Sequence, residues 1–289
     1  MNTDADTAGD ALDRNADQIV KEIGIPPCPA ILTKLLREAR SDEPDFRRVG
    51  QLVAGDVALA SAVLKVANSP FYGLRTKAAS VQQALALLGL NAVTQLVTGL
   101  LLRQAFSGSA GPGMEHYWKT SMATSLISAL LCRETGRGDS GVACTYGLFR
   151  DCGMPVMMQK FTIYADIFDG SALTPGEPAL EIENERYATN HAQVGAQLAR
   201  SWQLSESLCY AILHHHDVLF PDEDLAQADA GARTLIATGL AAEHLYCAAT
   251  SAACHEWALA GDWALVELGL SQERFVAIAG RVRTSINHL

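Results

Sequence analysis

The sequence lacks the short motifs that mark several common classes of enzyme. It contains no GxxxxGK[ST] phosphate-binding pattern and no GxSxG nucleophile motif. Its one GxGxxG match, residues 136–141, follows a predicted helix and not the strand that a dinucleotide-binding loop requires. Its one adjacent Cys-His pair is Cys254-His255. Neighbouring side chains diverge on a helix, so this pair cannot readily act as a nucleophile and its base. The sequence therefore supports neither a nucleotide-binding loop nor nucleophilic hydrolysis.

Positive charge, signal sequences and paired cysteines are also scarce. Lys and Arg number 22 against 32 Asp and Glu, and the net charge of −10 argues against a phosphate backbone as partner. The seven cysteines form no CxxC pair and are predicted to be small buried side chains in a reducing compartment. The first residues are acidic and polar, and the most apolar run, 84–102, is interrupted by Asn, Thr and Gln. We expect a cytoplasmic protein that binds neither nucleic acid nor a membrane.

Apolar residues recur at helical spacing along most of the chain. Hydrophobic residues make up 49% of the sequence and aromatic residues only 7%. Helix ends are also marked: Asp56 is a candidate N-cap, Ser80 and Gln83 form a capping-box pattern, and Gly89 ends the helix that follows. No segment has a convincing strand pattern, so the predicted fold class is all-α.

Composition divides the chain into two helical lobes. Residues 1–10 are polar and predict a flexible tail, and residues 11–106 predict an N-terminal lobe. Residues 107–113 contain three glycines and one proline among small residues, which is typical of a linker. Residues 114–289 then form a C-terminal helical lobe.

A pair of adjacent charges interrupts an otherwise apolar stretch, residues 142–160. Arg150 and Asp151 lie side by side there, in a pattern that predicts one helix kinked or ended at Pro155. Burying a charge without a partner costs several kcal/mol, so the groups that these two side chains face should decide the role of this region.

Histidines supply the second candidate for chemistry. The run His214-His215-His216 precedes Asp217, and His191 lies upstream on another predicted helix. Imidazole and carboxylate groups suit divalent metals, so Asp151, His191, His215 and His216 would be the ligands of any metal site. Histidines also favour the negative end of a helix dipole without binding metal, and residue types alone favour that interpretation.

Asn68, Ser69, Phe71, Tyr72 and Gly73 form a specific signature after the predicted helix of residues 57–67. With the segments below, this signature resembles the HDOD family, a regulatory branch of the HD phosphohydrolase superfamily found in bacterial signalling proteins. The resemblance extends over about residues 23–249. The other matching segments are Ile25-Pro26-Pro27-Cys28-Pro29, Asp56-Val57-Ala58-Leu59, Leu64-Lys65-Val66-Ala67, Leu87-Leu88-Gly89-Leu90, His191-Ala192-Gln193-Val194-Gly195, Trp202, and Ile212 to Asp217.

The resemblance implies that the C-terminal lobe is similar to an HD hydrolase domain. Such hydrolases bind metal through an early His, an adjacent His-Asp pair and a later Asp, and they cleave phosphate esters with a metal-activated water. The His-Asp position corresponds to Arg150-Asp151 in this chain. The early His corresponds to Thr120, with His116 one turn earlier as an alternative, and the later Asp falls at Ala242 or Glu243. The resemblance thus implies a degenerate site of Thr120, Arg150, Asp151, His191, His215 and His216.

The loss of the HD histidine argues against hydrolysis, because a guanidinium carries only donors and cannot ligate a metal. We therefore expect a non-catalytic signal-transduction module that acts through protein contacts, with no cofactor. In this hypothesis Arg150 takes the place of the metal and pairs with Asp151 or Glu243. One alternative is a metal-dependent phosphohydrolase or nucleotide phosphodiesterase that uses Asp151 and the three histidines. Another is a nucleotide sensor in which Arg150 holds a phosphate. The input, the partner and the oligomeric state stay open.

Overall fold

All regular structure in the described part of the chain is helical. The computed structural model describes residues 28–68, 74–106, 112–161, 179–219, 228–252 and 254–286, together with residues 18, 21, 22 and 164. The N-terminal lobe contains α1 Ala30–Ala39, α2 Phe46–Ala54, α3 Val57–Ala67, α4 Val81–Leu88 and α5 Leu90–Ala105. The C-terminal lobe contains α6 Pro112–Thr135, α7 Ser140–Phe149, α8 Gly153–Lys160, α9 Ala179–Tyr187, α10 His191–Ser201, α11 Glu206–Leu213, the 3-10 helix Asp217–Leu219, α12 Ala230–Thr250, α13 His255–Leu268 and α14 Gln272–Ile286. The all-α prediction is confirmed.

Local sequence signals set several helix ends as predicted. The Asp56 carboxylate accepts the backbone N–H of Leu59 at 3.0 Å, and the Ser80 hydroxyl accepts that of Gln83 at 3.2 Å. Each such cap contributes about 1 kcal/mol. Gly89 separates α4 from α5 with a φ of 86°, in the region that favours glycine.

The first residue of the predicted signature, Asn68, bonds through its side-chain amide to the segment before α4. Asn68 follows α3, and its amide oxygen accepts the Ala78 N–H at 2.7 Å while its Nδ2 donates to the Ala78 carbonyl at 2.8 Å. This pair of bonds joins the end of α3 to the residues before α4. The other predicted signature residues, Ser69, Phe71, Tyr72 and Gly73, lie outside the described residues, as does the predicted tail 1–10.

Helices of the two predicted lobes pack directly against each other through a shared core. Buried apolar side chains form one cluster that runs through both lobes. A Cβ added to Gly99 of α5 would lie 2.7 Å from Leu148 Cδ2 of α7, so these helices touch. The Arg40 guanidinium also donates to the Gln203 carbonyl at 3.0 Å. Helix α6 begins at Pro112, inside the predicted linker 107–113, whose residues 107–111 lie outside the described residues.

The stretch 142–160, predicted as one helix, forms two helices instead. Helix α7 ends at Phe149 and α8 begins at Gly153, so the break falls at residues 150–152 and not at Pro155. Pro155 lies in the first turn of α8, where its missing N–H would have had no partner within the helix. Arg150 and Asp151 therefore lie at a break, which lets the two side chains diverge.

Membrane-spanning potential is low among the described helices. None of them is by itself both long and apolar enough to cross a bilayer. Helices α2 and α3 reach that length and apolarity only when taken together, and they are bent by 115° to each other.

Candidate functional site

Four side chains predicted as potential metal ligands meet at one place in the C-terminal lobe. One ligand atom from each of Asp151, His191, His215 and His216 lies within 4.8 Å of the others. Asp151 comes from the break between α7 and α8, His191 from the first residue of α10, and His215 and His216 from the turn after α11. We call these four residues the Asp-His cluster.

Close backbone packing brings Asp151 and His191 together. A Cβ added to Gly153 would lie 2.0 Å from the His191 carbonyl oxygen and 2.8 Å from the Gly195 amide nitrogen. The thiol of Cys152 also donates to the Gly195 carbonyl at 3.5 Å. Only a glycine at position 153 lets the start of α8 approach the start of α10 this closely.

Each histidine of the cluster is anchored through its Nδ1 atom. His191 Nδ1 lies 2.9 Å from both Glu183 carboxylate oxygens, and His215 Nδ1 donates to the Ile212 carbonyl at 2.7 Å. His216 Nδ1 lies 2.5 Å from Glu256 Oε1. With Nδ1 held by these acceptors, Nε2 is the atom left to face the other members of the cluster. Histidines that ligate metals in proteins are oriented in this way by carboxylates and carbonyls.

Glu183 is the buried carboxylate that positions His191. It is 1% exposed, and it also accepts the backbone N–H of His191 and the Tyr164 hydroxyl, both at 2.7 Å. Burial alone would raise the pKa of Glu183, but the charge of His191 and these hydrogen bonds lower it. Glu183 therefore stays ionised and holds the imidazole of His191 in one orientation.

Among the described residues, no hydrogen-bond donor faces the Nε2 atom of His215. Burial, helped by the charge of His216, lowers the pKa of His215 to about 3, so this ring is neutral near pH 7. Because Nδ1–H is used by Ile212, a lone pair on Nε2 faces Asp151 Oδ1 at 3.1 Å. Among the described residues, no group forms a hydrogen bond with this buried nitrogen. Two acceptors facing each other repel unless a cation lies between them.

The donor set of the Asp-His cluster fits a divalent transition metal. Three imidazole nitrogens and one carboxylate oxygen are ligands that suit Zn²⁺, Fe²⁺ or Mn²⁺. His191 Nε2 and His216 Nε2 lie 3.0 Å apart, so one of them must carry a proton when no metal separates them. Despite burial, the charge of Glu256 raises the pKa of His216, which favours a proton on this ring.

Arg150 forms a buried ion pair beside this cluster. The residue is 3% exposed, its Nη1 lies 2.6 Å from Glu243 Oε2, and its Nη2 lies 3.4 Å from Glu256 Oε2. A Cβ added to Gly239 of α12 would lie 3.3 Å from Arg150 Cδ, so α12 packs along the side chain. Of the two partners predicted for Arg150, Glu243 is the one observed. Asp151 turns towards His215 instead. Burial would raise the pKa of Asp151, but the charge of Arg150 together with the contacts to His215 and His191 holds it well below its usual range.

Glu256 connects the ion pair to the Asp-His cluster, and no sequence pattern predicted this role. Its Oε1 contacts His216 and its Oε2 contacts Arg150. Burial would raise the pKa of Glu256, but the charges of His216 and Arg150 lower it to about 2. Glu256 lies beyond the part of the chain that carries the HDOD resemblance. Glu183 was missed for another reason: it is one of several acidic residues in an acidic helix, and no pattern marks the one that faces inward.

The predicted equivalents of the remaining HD ligands supply no metal donor. Thr120 is half-buried, and its hydroxyl has no hydrogen-bond partner among the described residues. His116, the alternative, is exposed. Ala242 is fully buried, so Glu243 is the residue of that pair that reaches the centre, where it binds Arg150.

Comparison with known families identifies relatives across most of the chain. The HDOD domain family model matches residues 25–218. An uncharacterized protein of Treponema pallidum is 22% identical over 202 residues, which are 69% of this chain and 39% of the relative. The uncharacterized protein YuxH of Bacillus subtilis is 28% identical over 116 residues, which are 40% of this chain and 28% of the relative. The chain thus spans less than half the length of the curated relatives that it matches.

Solved structures share the helical architecture. An HDOD domain protein of unknown function from Geobacter sulfurreducens has a TM-score of 0.77 at 20% identity, covering 96% of this chain and 98% of its own. A protein from Shewanella amazonensis, whose name proposes a phosphohydrolase, has a TM-score of 0.71 at 19% identity, covering 93% of each chain. At these identities the likeness establishes the fold and not an activity.

Proposed function

Because the chain belongs to the HDOD domain family, we propose that it is a non-catalytic regulatory module that acts through protein contacts. The observation that carries this proposal is the ion pair of Arg150 with Glu243. Arg150 stands where the HD motif has a metal-binding histidine, and its guanidinium keeps its positive charge at any physiological pH.

The ion pair opposes HD-type hydrolysis on electrostatic grounds. That reaction needs a cation held by carboxylate and imidazole groups so that a bound water loses a proton. Here the carboxylates of Glu243 and Glu256 are already engaged by Arg150. A metal on this side of the centre would lose these ligands and would also meet a like charge.

The packing of α7 supports a regulatory role by linking this centre to the N-terminal lobe. Helix α7 leads directly into Arg150, and one residue before its end Leu148 touches Gly99 of α5. A ligand or partner that moves Arg150 would therefore move a helix that packs against the other lobe. This supplies a physical route from the centre to a distant protein contact.

A turnover screen tests the proposal. The full chain and its Asp151→Ala variant are incubated with phosphodiesters and nucleotides in the presence of Mg²⁺, Mn²⁺ or Zn²⁺. We expect the two proteins to be equally inactive. Turnover by the unaltered chain that disappears in Asp151→Ala would refute the non-catalytic assignment.

A metal-dependent phosphohydrolase is the second candidate, and the unsatisfied Nε2 of His215 favours it. Asp151, His191, His215 and His216 would hold the cation, and a bound divalent metal would lower the pKa of a coordinated water. Glu183 and Glu256 would keep two of the imidazoles in place. Elemental analysis of the purified protein, followed by the turnover screen, separates metal binding from hydrolysis.

A nucleotide sensor is the remaining alternative, and no observation favours it. The Arg150 guanidinium that would hold the phosphate already contacts Glu243 and Glu256, so a phosphate would have to displace a carboxylate. A nucleotide panel in a thermal-shift assay, repeated with Arg150→Ala, tests this alternative directly.

A further inference from the structure

A long stretch of the N-terminal lobe contains no acidic residue. No Asp or Glu lies between Asp56 and Glu115. The same stretch contains four cations, namely Lys65, Arg75, Lys77 and Arg103. The whole chain has a net charge of −10, so this stretch and the rest of the chain are opposite in sign. An anionic partner would therefore meet the least repulsion here.

Three of these cations lie together where α3 ends. Lys65 lies three residues before Asn68, on the same side of the chain. The Asn68 side chain binds the N–H and the carbonyl of Ala78, at 2.7 and 2.8 Å, which holds the segment before α4 against the end of α3. Lys77 directly precedes Ala78, and Arg75 lies two residues before Lys77. We call Lys65, Arg75 and Lys77 the basic patch.

The charges of the basic patch have no counterpart in the described part of the chain. All three residues are exposed, and none of them forms an ion pair or a hydrogen bond with another described residue through its side chain. Arg150 and Arg233, by contrast, each pair with a glutamate. Exposed cations lose little hydration when they meet a carboxylate from outside, so these three charges are available to a partner.

We infer that the basic patch binds an acidic segment of a partner protein. This inference rests on the proposed function, because it supplies the chemistry of one of the protein contacts. Carboxylates suit the patch, since Lys and Arg donate charge-assisted hydrogen bonds to them. A nucleic acid suits it less, because its phosphate backbone extends beyond three cations and would be repelled by the negative charge of the remaining chain.

Packed helices connect the basic patch to the centre around Arg150. Helix α3, which carries Lys65, packs against α5. Gly99 of α5 in turn touches Leu148 of α7, and α7 leads into Arg150. A partner bound at the end of α3 would thus contact the far end of the route that begins at Arg150.

Fluorescence anisotropy of a labelled hexaglutamate peptide, titrated with the full chain, tests the inference. The patch variant combines Lys65→Gln, Arg75→Gln and Lys77→Gln. We expect it to bind the peptide about tenfold more weakly than the unaltered chain, because each exposed ion pair contributes little and three are lost together. Combining Lys65→Arg with Lys77→Arg keeps the charges and should keep the affinity. A hexaglutamine peptide should not bind.

A second set of exposed cations in the same lobe supplies the matched control. This variant combines Lys34→Gln, Arg37→Gln and Arg47→Gln, so it loses the same amount of charge as the patch variant. These cations differ from the patch in having carboxylates among their neighbours in sequence, namely Glu38, Asp42, Glu43 and Asp45. We expect the control variant to bind the peptide within about twofold of the unaltered chain.

The outcomes separate the site, the class of partner and the proposed function. Equal losses in the two variants would show that the peptide responds only to net charge and would overturn the site, as would no binding by the unaltered chain. Single-stranded DNA of the same length that binds more tightly than the peptide, and not to the patch variant, would overturn the choice of a protein partner. Turnover in the screen would remove the non-catalytic assignment without changing peptide binding, so the two failures are distinguishable.

Discussion

The stability of the protein should depend on the ion pair of Arg150 far more than on its surface ion pairs. Arg150→Met keeps most of the side-chain volume and removes the charge. It leaves Glu243, Glu256 and Asp151 close together without the cation that holds them. Removing one partner of a buried ion pair typically costs about 3–5 kcal/mol, since the remaining charge has no counterpart.

The expected cost lies at the lower end of that range. The Glu243 and Glu256 side chains are 32% and 22% exposed, so water can reach both carboxylates once the guanidinium is gone. We therefore expect Arg150→Met to lower the free energy of unfolding by about 3 kcal/mol. For a chain of this size that corresponds to a fall of about 6 °C in Tm.

Urea denaturation of four proteins measures this effect. The matched control is Arg281→Met, because Arg281 pairs with Glu134 at 2.8 Å but is 54% exposed, and we expect it to cost under about 1 kcal/mol. Adding Glu243→Leu to Arg150→Met should recover part of the loss, since the double variant no longer holds an unpaired carboxylate. If Arg150→Met is no more destabilising than Arg281→Met, the ion pair does not hold this centre together.

Three further predictions concern the surroundings of the Asp-His cluster. Glu183→Gln should weaken Zn²⁺ binding about 10- to 100-fold in calorimetry, because Glu183 anchors the imidazole of His191. The control is Glu185→Gln on the exposed side of α9, which should leave the affinity for Zn²⁺ unchanged. The folded-state pKa of Glu256 is about 2 and its ordinary value is 4.5, so its contribution to stability is complete above pH 4.5 and is lost as pH falls towards 2. Urea unfolding between those pH values should show this slope, and Glu256→Gln should flatten it. Gly153→Ala should destabilise the fold by at least about 2 kcal/mol, because the new methyl group would clash with the His191 carbonyl. The control is Gly280→Ala at an open position of α14, which should be neutral or stabilising in the same assay.

Helix ends could be predicted from the sequence because their causes are local. Asp56 and Ser80 cap helices through bonds to residues three positions away, and Gly89 ends a helix through its own backbone conformation. The four members of the Asp-His cluster were predicted from residue types as the ligands of any metal site, without evidence that they meet. Their meeting depends on the approach of α8 to α10 at Gly153, which no local pattern shows.

The partners of the charged residues could not be predicted with the same success. The break at residues 150–152 depends on how α7 and α8 pack against other helices. The only local signal for a break was Pro155, and the position that it predicted was wrong. Glu256 reaches Arg150 only because the chain turns back at Ser251, 101 positions after Arg150 in the sequence. Such long-range pairs are set by tertiary packing, which helical periodicity does not encode.

This centre can bind a metal without catalysing hydrolysis, because its two sides differ in the charged groups that they present. On one side Arg150 pairs with both Glu243 and Glu256, so that neither carboxylate is free for a cation. On the other side Asp151 faces the lone pair of His215, and a cation would relieve that repulsion. One metal in the Asp-His cluster would thus be stabilising, whereas a second in place of Arg150 would be repelled. Stoichiometric metal without turnover would therefore favour a regulatory centre, and turnover would require a substrate that binds despite the buried ion pair.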